Sequence, residues 1–552
     1  MKTINIIGAG LAGLMAAVTA ASAGYQCRLF SRQRSERAQS VLAEGGINAV
    51  LNTMGEDDEI ENHFADTMRG GVDLADPNAV DAMVHAAPGI VTWLHQIGVP
   101  FNMQDGHMIQ RNFGGQKKKR TAFAKSSTGK MLMAGLIDET RKWEADGAVQ
   151  RFAHHEFIRI LTEETEVGLI CRGVRIRDEY SGRLTDYEGP VILASGGLAG
   201  VFPGMTTGTT QNSGEVTSTL FSQGVRLGNL EMIQYHPTTF GINGKRCLVT
   251  EAARGEGGRL FVMRNGSPWY FMEEKYPVLK NLMPRDVVSR EIYFVTRQED
   301  CQDQVYLDLT GLPAETWKKK LPDLREEIRH YLDIDAAKKP VPVEPGIHYF
   351  MGGIDVDELH RTSIRGLYAG GECCCQYHGA NRLGGNSLLG AIYGGKKVAE
   401  TVMAEYDSYA EKISALPALQ PLPEDFDDPL TREADPALIL QLREILLAGM
   451  GIVREEEGMQ KALDQVLALK EEAEKDLQGQ ETGGNLRDKN RIHLAEAMLR
   501  SALARRESRG AHYRSDYPEK DEEYRKTAVA EWKDGRACIT YRPLPERRSA
   551  GR

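Results

Sequence analysis

The chain has 552 residues, of which 41% are hydrophobic and 26% are charged. That length accommodates two to four globular domains, and a formal net charge of −10 argues against a general nucleic-acid binder. No apolar run reaches the ~18 residues of a membrane span, so we expect no transmembrane segment. The one strong basic run, KKKR at 117–120, is interpreted as a solvated loop.

The eight cysteines contain no C-x-x-C pair, which argues against a zinc or iron–sulfur site within this chain. Three of them are consecutive, at 373–375. Three neighbours along one backbone rarely converge on one ion, so we expect them to pack against a buried site. Cysteine usage of this kind suits a reducing compartment, and we expect a cytoplasmic protein.

The N-terminal region has the pattern of an α/β fold. TINIIGAG reads as a buried strand, LAGLMAAVTAASAG as a helix that stops at Gly24, and YQCRLFS as a second strand. This is the opening of a βαβ unit. Helical patterns follow at about 57–70 and 76–97, and two further apolar strands end in glycine pairs, GPVILASGG at 189–197 and GLYAGGE at 366–372.

Composition divides the rest of the chain into segments. The stretch 230–345 has more Pro, Trp and Tyr and no second nucleotide loop, so we expect an inserted domain. A Pro- and Asp-rich stretch predicts a linker, and three amphipathic patterns after it predict a helical bundle. The expected organisation is 1–229 and 346–411 for the two parts of the α/β domain, 230–345 for the insertion, 412–435 for the linker, 436–520 for the helical domain, and 521–552 for a C-terminal segment with a closing strand.

A nucleotide-binding turn lies between the first strand and the first helix. Gly8, Gly10 and Gly13 form G-x-G-x-x-G, in which the glycines permit the tight turn, the approach of backbone N–H groups to a pyrophosphate, and close helix–strand packing. The helix N-terminus adds a positive dipole end. The acid usual at the end of the second strand is replaced by Ser31, which weakens an NAD assignment and leaves FAD open.

FAD also needs room for its flavin. The stretches ASGG at 194–197, with Gly196 and Gly197, and GLYAGGE can provide that room. Glu372 can accept a hydrogen bond from the ribityl or ribose part of the cofactor, and the alternative is a surface-loop carboxylate.

The run HGANRLGGNSLLGA at 378–391 places a single arginine among glycines, asparagines and a serine. Glycine in regular structure is costly, so such a run indicates close approach of the backbone to something. Arg382 would bring a planar, permanently charged fork to that point, which suits a carboxylate.

Several ordered motifs together resemble the flavoprotein subunits of the fumarate reductase and succinate dehydrogenase family over nearly the whole chain. The carriers are GAGLAGL, AEGGINAV (43–50), FGGQKKKRTAFA (113–124), YHPTTF (235–240), TEAARGEGG (250–258), PRD (284–286), HYFMGGI (348–354), HGANRLGGNSL (378–388) and RRESRGAH (505–512). The resemblance implies a Rossmann-type FAD-binding domain interrupted by an α+β capping domain and followed by a helical domain.

The resemblance also implies roles for individual residues in reduction of fumarate to succinate. His236, Thr250, His348 and Arg382 would bind the two substrate carboxylates, and Arg285 would donate the proton, resupplied through Glu251 and Arg254. The implied cofactor contacts are Gly8, Gly10, Gly13, Ser31, Ser40, Gly45, Gly46, Gly196, Gly197, Glu372, Ser387 and Leu388, with no metal site.

Each of these residues also has a purely structural alternative. The two histidines can be satisfied core residues, Arg285 can pair with its neighbour Asp286, and Arg254 with Glu251 can form one helical ion pair worth only ~0.2–0.5 kcal/mol. The ordered set in one chain favours an active site.

The chain departs from the family at the residue that carries covalent FAD in many members. QSVLAEGG has Gln39 where those members have histidine, so we expect non-covalent FAD and a bias toward fumarate reduction. Three alternatives remain: L-aspartate oxidase, reductase of another unsaturated acid, and a flavin-binding assembly subunit without alkene chemistry. The family implies an iron–sulfur partner subunit, with a soluble flavin or nicotinamide donor as alternative, and peripheral attachment at the inner membrane through partners.

Overall fold

The computed structural model describes residues 2–53, 55–166, 168–423, 426–479 and 485–548. The helices in those ranges are α1 (Leu11–Ser22), α2 (Ile60–Gly70), α3 (Pro77–Gln96), α4 (Thr128–Ala145), α5 (Glu215–Ser222), α6 (Ala252–Gly255), α7 (Phe271–Lys275), α8 (Arg285–Val295), α9 (Ala314–Lys319), α10 (Pro322–Leu332), α11 (Asn386–Ser414), α12 (Pro436–Gly449), α13 (Glu456–Gly479) and α14 (Leu486–Ala504).

The strands are mostly short. They are β1 (Thr3–Ile7), β2 (Gln26–Ser31), β3 (Ile47–Asn48), β4 (Met103–Gln104), β5 (His107–Met108), β6 (Gln110–Arg111), β7 (Thr121–Ala122), β8 (Val149–Ala153), β9 (His155–Thr165), β10 (Gly168–Asp178), β11 (Leu184–Glu188), β12 (Val191–Leu193), β13 (Leu227–Gly228), β14 (Ile233–Ile242), β15 (Lys245–Leu248), β16 (Arg259–Arg264), β17 (Ser267–Trp269), β18 (Cys301–Asp308), β19 (Val341–Phe350), β20 (Gly353–Ile354), β21 (Leu367–Ala369), β22 (Lys526–Lys533) and β23 (Arg536–Pro543).

A parallel sheet of order β21-β12-β1-β2-β8 forms the centre of the first domain. Its strands are apolar runs because helices cover the sheet. The 29-residue helix α11 packs on α1, and the contact is close: a Cβ at Gly395 would lie 2.2 Å from the Ala12 carbonyl oxygen. The predicted βαβ opening and both later strands are therefore present, and the fold is α/β as expected.

A six-stranded antiparallel sheet of order β15-β14-β19-β18-β16-β17 forms a second layer with its own apolar core. Phe271, Val288 and Leu307 are among the fully buried side chains of that core. The chain enters this sheet through β14 and leaves it through β19, and these two strands pair with each other. Any residue at the start of β14 therefore lies beside the end of β19.

Helices α12, α13 and α14 pack on one another, as the three amphipathic patterns predict. The preceding Pro- and Asp-rich stretch contacts the three-stranded sheet β11-β10-β9, because Asp428 accepts hydrogen bonds from Arg159 at 2.6 Å and Arg175 at 3.0 Å. No helix within the described ranges is both long and apolar enough to cross a membrane.

The predicted closing strand is one half of a hairpin, β22–β23, that joins distant parts of the chain. Strand β22 pairs with β13, which in turn pairs with β20, so the four strands form one sheet. Strands β13 and β20 flank the six-stranded sheet in sequence. The Ala528 N–H also donates to Asn229 Oδ1 at 3.0 Å, across a sequence separation of 299 residues.

Two arginine-containing motifs contribute buried arginines that form ion pairs. In RRESRGAH, Arg505 donates to Glu231 at 2.7 Å and to Glu507 at 3.0 Å, and Arg509 donates to Glu507 at 2.8 Å, with all four side chains at most 1% exposed. The KKKR run was interpreted as a solvated loop, and that interpretation is wrong for its last residue. Arg120 is buried because it bridges two carboxylates of the region around α2, at 2.7 and 2.9 Å.

Candidate active site

One large cavity runs between the parallel sheet and the six-stranded sheet, and it brings most of the predicted residues together. The predicted cofactor residues that line it are Gly8, Gly10, Ser31, Ser40, Gly45, Gly46, Gly196, Gly197, Glu372, Ser387 and Leu388. The predicted substrate residues that line it are His236, Thr250, Glu251, Arg285, His348 and Arg382.

The glycine-rich turn is the part of the cavity wall that fits a dinucleotide pyrophosphate. Gly8 has φ +111°, and a Cβ there would lie 2.1 Å from the Ala194 carbonyl oxygen, so the turn requires glycine. Gly13 does not line the cavity: its Cβ would lie 1.8 Å from the Gly8 carbonyl oxygen, so it serves helix–strand packing and not cofactor contact. Gly10, Leu11 and Ala12 at the start of α1 line the cavity, and the Leu11 N–H donates to Ser40 Oγ at 3.4 Å. A helix N-terminus in this position favours an anionic pyrophosphate.

The segment 39–46 forms the wall opposite that turn. Gln39 lines the cavity, and its Oε1 accepts a hydrogen bond from the Thr209 N–H. Gly46 has φ +148° and a Cβ there would lie 2.5 Å from the Ala122 carbonyl oxygen, while one at Gly45 would be 3.0 Å from the Phe113 ring. These glycines let the 45–46 backbone pack closely against Phe113 and the strand at 121–122 while it lines the cavity.

Glu372 lies inside the cavity and not on a surface loop, so that alternative is wrong. Its Oε1 accepts the Phe350 N–H at 3.3 Å, and a Cβ at Gly197 would lie 2.5 Å from the same oxygen. Burial raises the pKa of Glu372 to about 7. The absence of a side chain at Gly197, in the ASGG stretch, therefore lets the Glu372 carboxyl group approach the end of strand β12.

Arg382 lines the cavity, and the small residues on either side of it allow the backbone to lie close to the cavity wall. Its guanidinium carbon lies 4.5 Å from the centre of the Tyr349 ring, and its buried Nε has no hydrogen-bond partner. Burial, together with the charge of Arg285, lowers the pKa of Arg382 to about 9. Burying a guanidinium with few partners costs free energy, so an anionic ligand that binds at Arg382 would offset that cost.

Arg285, Glu251 and Arg254 form a continuous chain of hydrogen bonds. Arg285 opens helix α8 and donates to Glu251 Oε2 through Nη2 at 2.6 Å and Nε at 3.0 Å. Arg254 donates to Glu251 Oε1 at 3.3 Å. Burial alone would raise the pKa of Glu251, but Arg285 and Arg254 outweigh it and hold the pKa below its ordinary value. Arg285 therefore pairs with Glu251, and the ion pair with Asp286 is not formed.

Two imidazoles complete the substrate end of the cavity. The rings of His236 and His348 have centroids 5.1 Å apart, and Thr207 Oγ1 lies 2.7 Å from His348 Nδ1. Burial and the charge of Arg285 hold both pKa values well below the ordinary value, so both rings are neutral near pH 7. The buried Nε2 of His236 has no partner, which makes it available to a ligand.

Gln234 belongs to this site and was missed in the sequence. Its Oε1 accepts from Arg285 Nη1 at 3.1 Å, and its Nε2 donates to the Arg382 carbonyl oxygen at 2.8 Å. It therefore links the two arginines. The available signal was the strand period: residues 234 and 236 lie two apart on β14 and share a face.

The three consecutive cysteines behave as the sequence predicts. Cys373, Cys374 and Cys375 are free and buried, and Cys373 Sγ lies 3.3 Å from the Leu193 carbonyl oxygen. Among the described residues no group of three or more His, Cys, Asp or Glu side chains is arranged to hold a metal ion. Packing around the cofactor cavity accounts for the run.

Comparisons with known proteins agree with this geometry. Residues 4–388 match the family model described as "FAD binding domain", and residues 439–549 match "Fumarate reductase flavoprotein C-term". The succinate dehydrogenase flavoprotein subunit of Bacillus subtilis is 36% identical, covering 96% of this chain and 94% of that protein. An L-aspartate oxidase of Ralstonia nicotianae is 34% identical, covering 94% and 92%.

The solved structure of a variant of Escherichia coli quinol fumarate reductase has a TM-score of 0.82 and 30% identity, covering 100% of this chain and 98% of that chain. Sequence, fold and cavity thus agree on one assignment. The chain belongs to the succinate dehydrogenase and fumarate reductase flavoprotein family, whose members are FAD-dependent oxidoreductases acting on CH–CH bonds.

Proposed function

We propose that this protein catalyses the FAD-dependent reduction of fumarate to succinate and, with suitable electron acceptors, the reverse reaction. The observation that carries the proposal is the charge of the substrate end. Arg254, Arg285 and Arg382 provide three guanidinium groups, and within the part of the chain that the structure describes Glu251 is the one carboxylate hydrogen-bonded to them, which leaves two positive charges. A dicarboxylate supplies two negative charges.

The proposed binding mode follows from which groups are free. Arg382 takes one carboxylate through its planar fork, since its Nε lacks a partner. His236, His348 and the Thr250 hydroxyl hold the other as neutral donors. Fixed donors at both ends also polarise the double bond between the carboxylates, which stabilises the charge that develops at one alkene carbon.

The proposed acid is Arg285, which must give a proton to the second alkene carbon. An arginine is a poor acid in water, with a pKa above ~12. Glu251 accepts a hydrogen bond from Arg285 at 2.6 Å and one from Arg254 at 3.3 Å, and it is ionised in the resting site. After Arg285 has given up its proton, Glu251 would take a proton from Arg254 and pass it to Arg285, with solvent water as the final source. Gln234 holds the Arg285 Nη1 in place during the transfer.

We propose FAD as the cofactor, held without a covalent bond, because Gln39 occupies the position at which many family members carry the linking histidine. Bound FAD supplies the hydride that reaches the first alkene carbon. The residues that would hold it are the Gly8–Gly10 turn, Ser31, Ser40, the 45–46 and 196–197 glycine pairs, Glu372, Ser387 and Leu388. Electrons would come from an iron–sulfur partner subunit or another reduced donor.

A dye assay tests the proposal. Reduced viologen dye should be reoxidised rapidly by the purified yellow protein with fumarate, and acid precipitation should release all its flavin to the supernatant. Absence of dye oxidation with fumarate would overturn the reductase assignment. Flavin retained in the precipitate would overturn the non-covalent attachment, independently of activity.

L-aspartate oxidation is the second candidate, because a relative of that name is 34% identical. Aspartate carries an ammonium group, which would enter a site with two excess positive charges and a Glu251 already committed to two arginines. We therefore expect L-aspartate to reduce the flavin slowly or not at all. Rapid flavin reduction by L-aspartate, with fumarate barely reoxidising it, would favour the oxidase.

A further inference from the structure

The wall at the adenosine end of the cavity is contacted from outside by the helical domain. Ser31 and Arg32 close strand β2 there, which is where a ribose lies in dinucleotide-binding folds. The same end is lined by Glu156 and by the segment Ser213–Glu215. Three residues of this wall, Arg32, Glu156 and Glu215, are charged, so the position of each depends on the ion pairs that it forms.

Two arginines of helix α14 hold that wall from outside the cavity. Arg491 donates to Glu215 Oε1 at 2.7 Å and to the Ser213 carbonyl oxygen at 2.9 Å. Arg487 lies 2.8 Å from Glu156 and 3.4 Å from Glu215. Both arginine side chains are under 8% exposed and neither lines the cavity.

The network is closed on the cavity side by Arg32. Its Nη1 lies 3.3 Å from Glu215 Oε2 and 3.4 Å from Glu156 Oε1. Burial alone would raise the pKa of Glu215, but Arg491, Arg487 and Arg32 outweigh it and hold the pKa below its ordinary value. Glu156 also pairs with Arg177 at 2.9 Å, whereas the partly buried Glu215 relies on Arg32 and the two α14 arginines. Removing one α14 arginine would leave Glu215 facing fewer cations, so this part of the wall would relax or take up water.

We propose that Arg487 and Arg491 are positioning residues that shape the adenosine end of the cofactor cavity, so that the helical domain sets how tightly FAD is retained. The inference rests on the non-covalent attachment proposed above. A cofactor held only by non-covalent contacts depends on both ends of its cavity, and Glu215 and Ser213 are fixed only when α14 is docked.

The test compares FAD with FMN, which lacks the adenosine part. In Arg491→Gln and Arg487→Gln apoproteins we expect the Kd for FAD to rise about 10- to 100-fold, the size of a lost hydrogen bond to a charged group, while the Kd for FMN stays unchanged. Binding is measured by quenching of flavin fluorescence on the full chain. Arg491→Lys should recover part of the FAD affinity.

Arg500→Gln is the matched control, because Arg500 lies on the same helix and pairs with Glu496 at 2.7 Å away from the cavity. It should leave both affinities unchanged. An equal rise in Kd for FAD and FMN, or no change in either, would show that the arginines only fasten two domains together and would overturn the inference. If Arg491→Gln does not fold, Arg491→Lys and Arg487→Gln decide the same comparison.

Wild-type flavin that remains in an acid precipitate would overturn the attachment and, with it, the basis of this inference. Loss of fumarate reduction with normal FAD binding would instead overturn the proposed reaction and leave the inference standing.

Discussion

Buried arginines occur in two regions of this molecule with opposite surroundings. Beside the C-terminal hairpin, Arg505 is paired with two carboxylates, and the balance of these interactions raises its pKa. At the substrate end, Arg382 has no carboxylate within ion-pair distance among the described residues, and its pKa falls to about 9. A compensated buried cation contributes to a stable core, whereas an uncompensated one marks a place where a ligand supplies the missing charge.

The largest effect is expected from a substitution of Arg285, the arginine proposed to act on the substrate. Arg285→Lys should lower kcat for fumarate by about 10²- to 10⁴-fold, the usual contribution of a positioned acid, because the shorter ammonium cannot keep the two bonds to Glu251. Dye oxidation measures the rate. The visible flavin spectrum should stay that of the wild type; a variant that loses its flavin, or keeps normal kcat, would contradict the assignment.

In the compensated region around Arg505, loss of the arginine should lower the stability of the protein. Arg505→Met leaves Glu231 and Glu507 buried with fewer partners, and we expect the free energy of unfolding to fall by about 3–5 kcal/mol. Urea unfolding followed by circular dichroism measures it. Arg500→Gln should cost no more than ~1 kcal/mol, because Arg500 is 29% exposed and its buried partner Glu496 keeps Lys470 at 3.0 Å. Equal losses in the two variants would remove the distinction.

In the uncompensated region around Arg382, loss of the arginine should weaken the binding of the dicarboxylate. Arg382→Met removes a cation that lacks a carboxylate partner, so the ligand-free protein should be as stable as the wild type or more so. Its Kd for succinate should rise about 10- to 100-fold, since a hydrogen bond to a charged group is lost. Calorimetric titration gives the affinity and thermal unfolding gives the stability. A large loss of stability would mean that Arg382 is part of the structural core.

The smallest expected effect is the dependence of binding on pH. The pKa of Arg382 in the ligand-free protein is about 9 against an ordinary value of 12.5, so the group loses its charge as pH rises through 9. Dicarboxylate affinity should fall about fivefold between pH 9 and pH 10, because the charged fraction of Arg382 falls by that factor. Between those two pKa values the unfolded chain binds the extra proton, so this group makes stability rise with pH. Affinity that is flat to pH 10 would contradict the shift.

Much of the fold was predictable because local pattern and tertiary context agree. The G-x-G-x-x-G turn, the two glycine-terminated strands at 191–193 and 367–369, and helices α12 to α14 are present where apolar periodicity places them. The sheet order was not predictable, since it depends on contacts between residues hundreds of positions apart. Arg120 was misjudged for the same reason: nothing within KKKR reveals that Asp58 and Asp66 come to meet it.

The sequence motifs identified which residues form the site, but the hydrogen bonds among those residues could not be predicted. Motifs named Arg285, Glu251, Arg254 and Arg382. Three of them line the cavity, and Arg254 does not line it but donates a hydrogen bond to Glu251. The part played by Gln234 depends on its hydrogen bonds to the Asn381 side chain and to the Arg382 carbonyl oxygen; the strand period indicates which face Gln234 shares but not these distant partners. Gly13 was grouped with cofactor contacts because the motif groups it so, although its function is packing.

The sheet formed by β13, β20, β22 and β23 has a consequence for biosynthesis. Strand β13 carries β20 on one side, and its other side stays unpaired until β22, residues 526–533, has left the ribosome, long after the segment around Asn229 was made. During that interval the nascent chain exposes strand edges that invite aggregation. We therefore expect ribosome-stalled chains ending before residue 526 to be held by chaperones and to be sensitive to protease near residues 227 and 353.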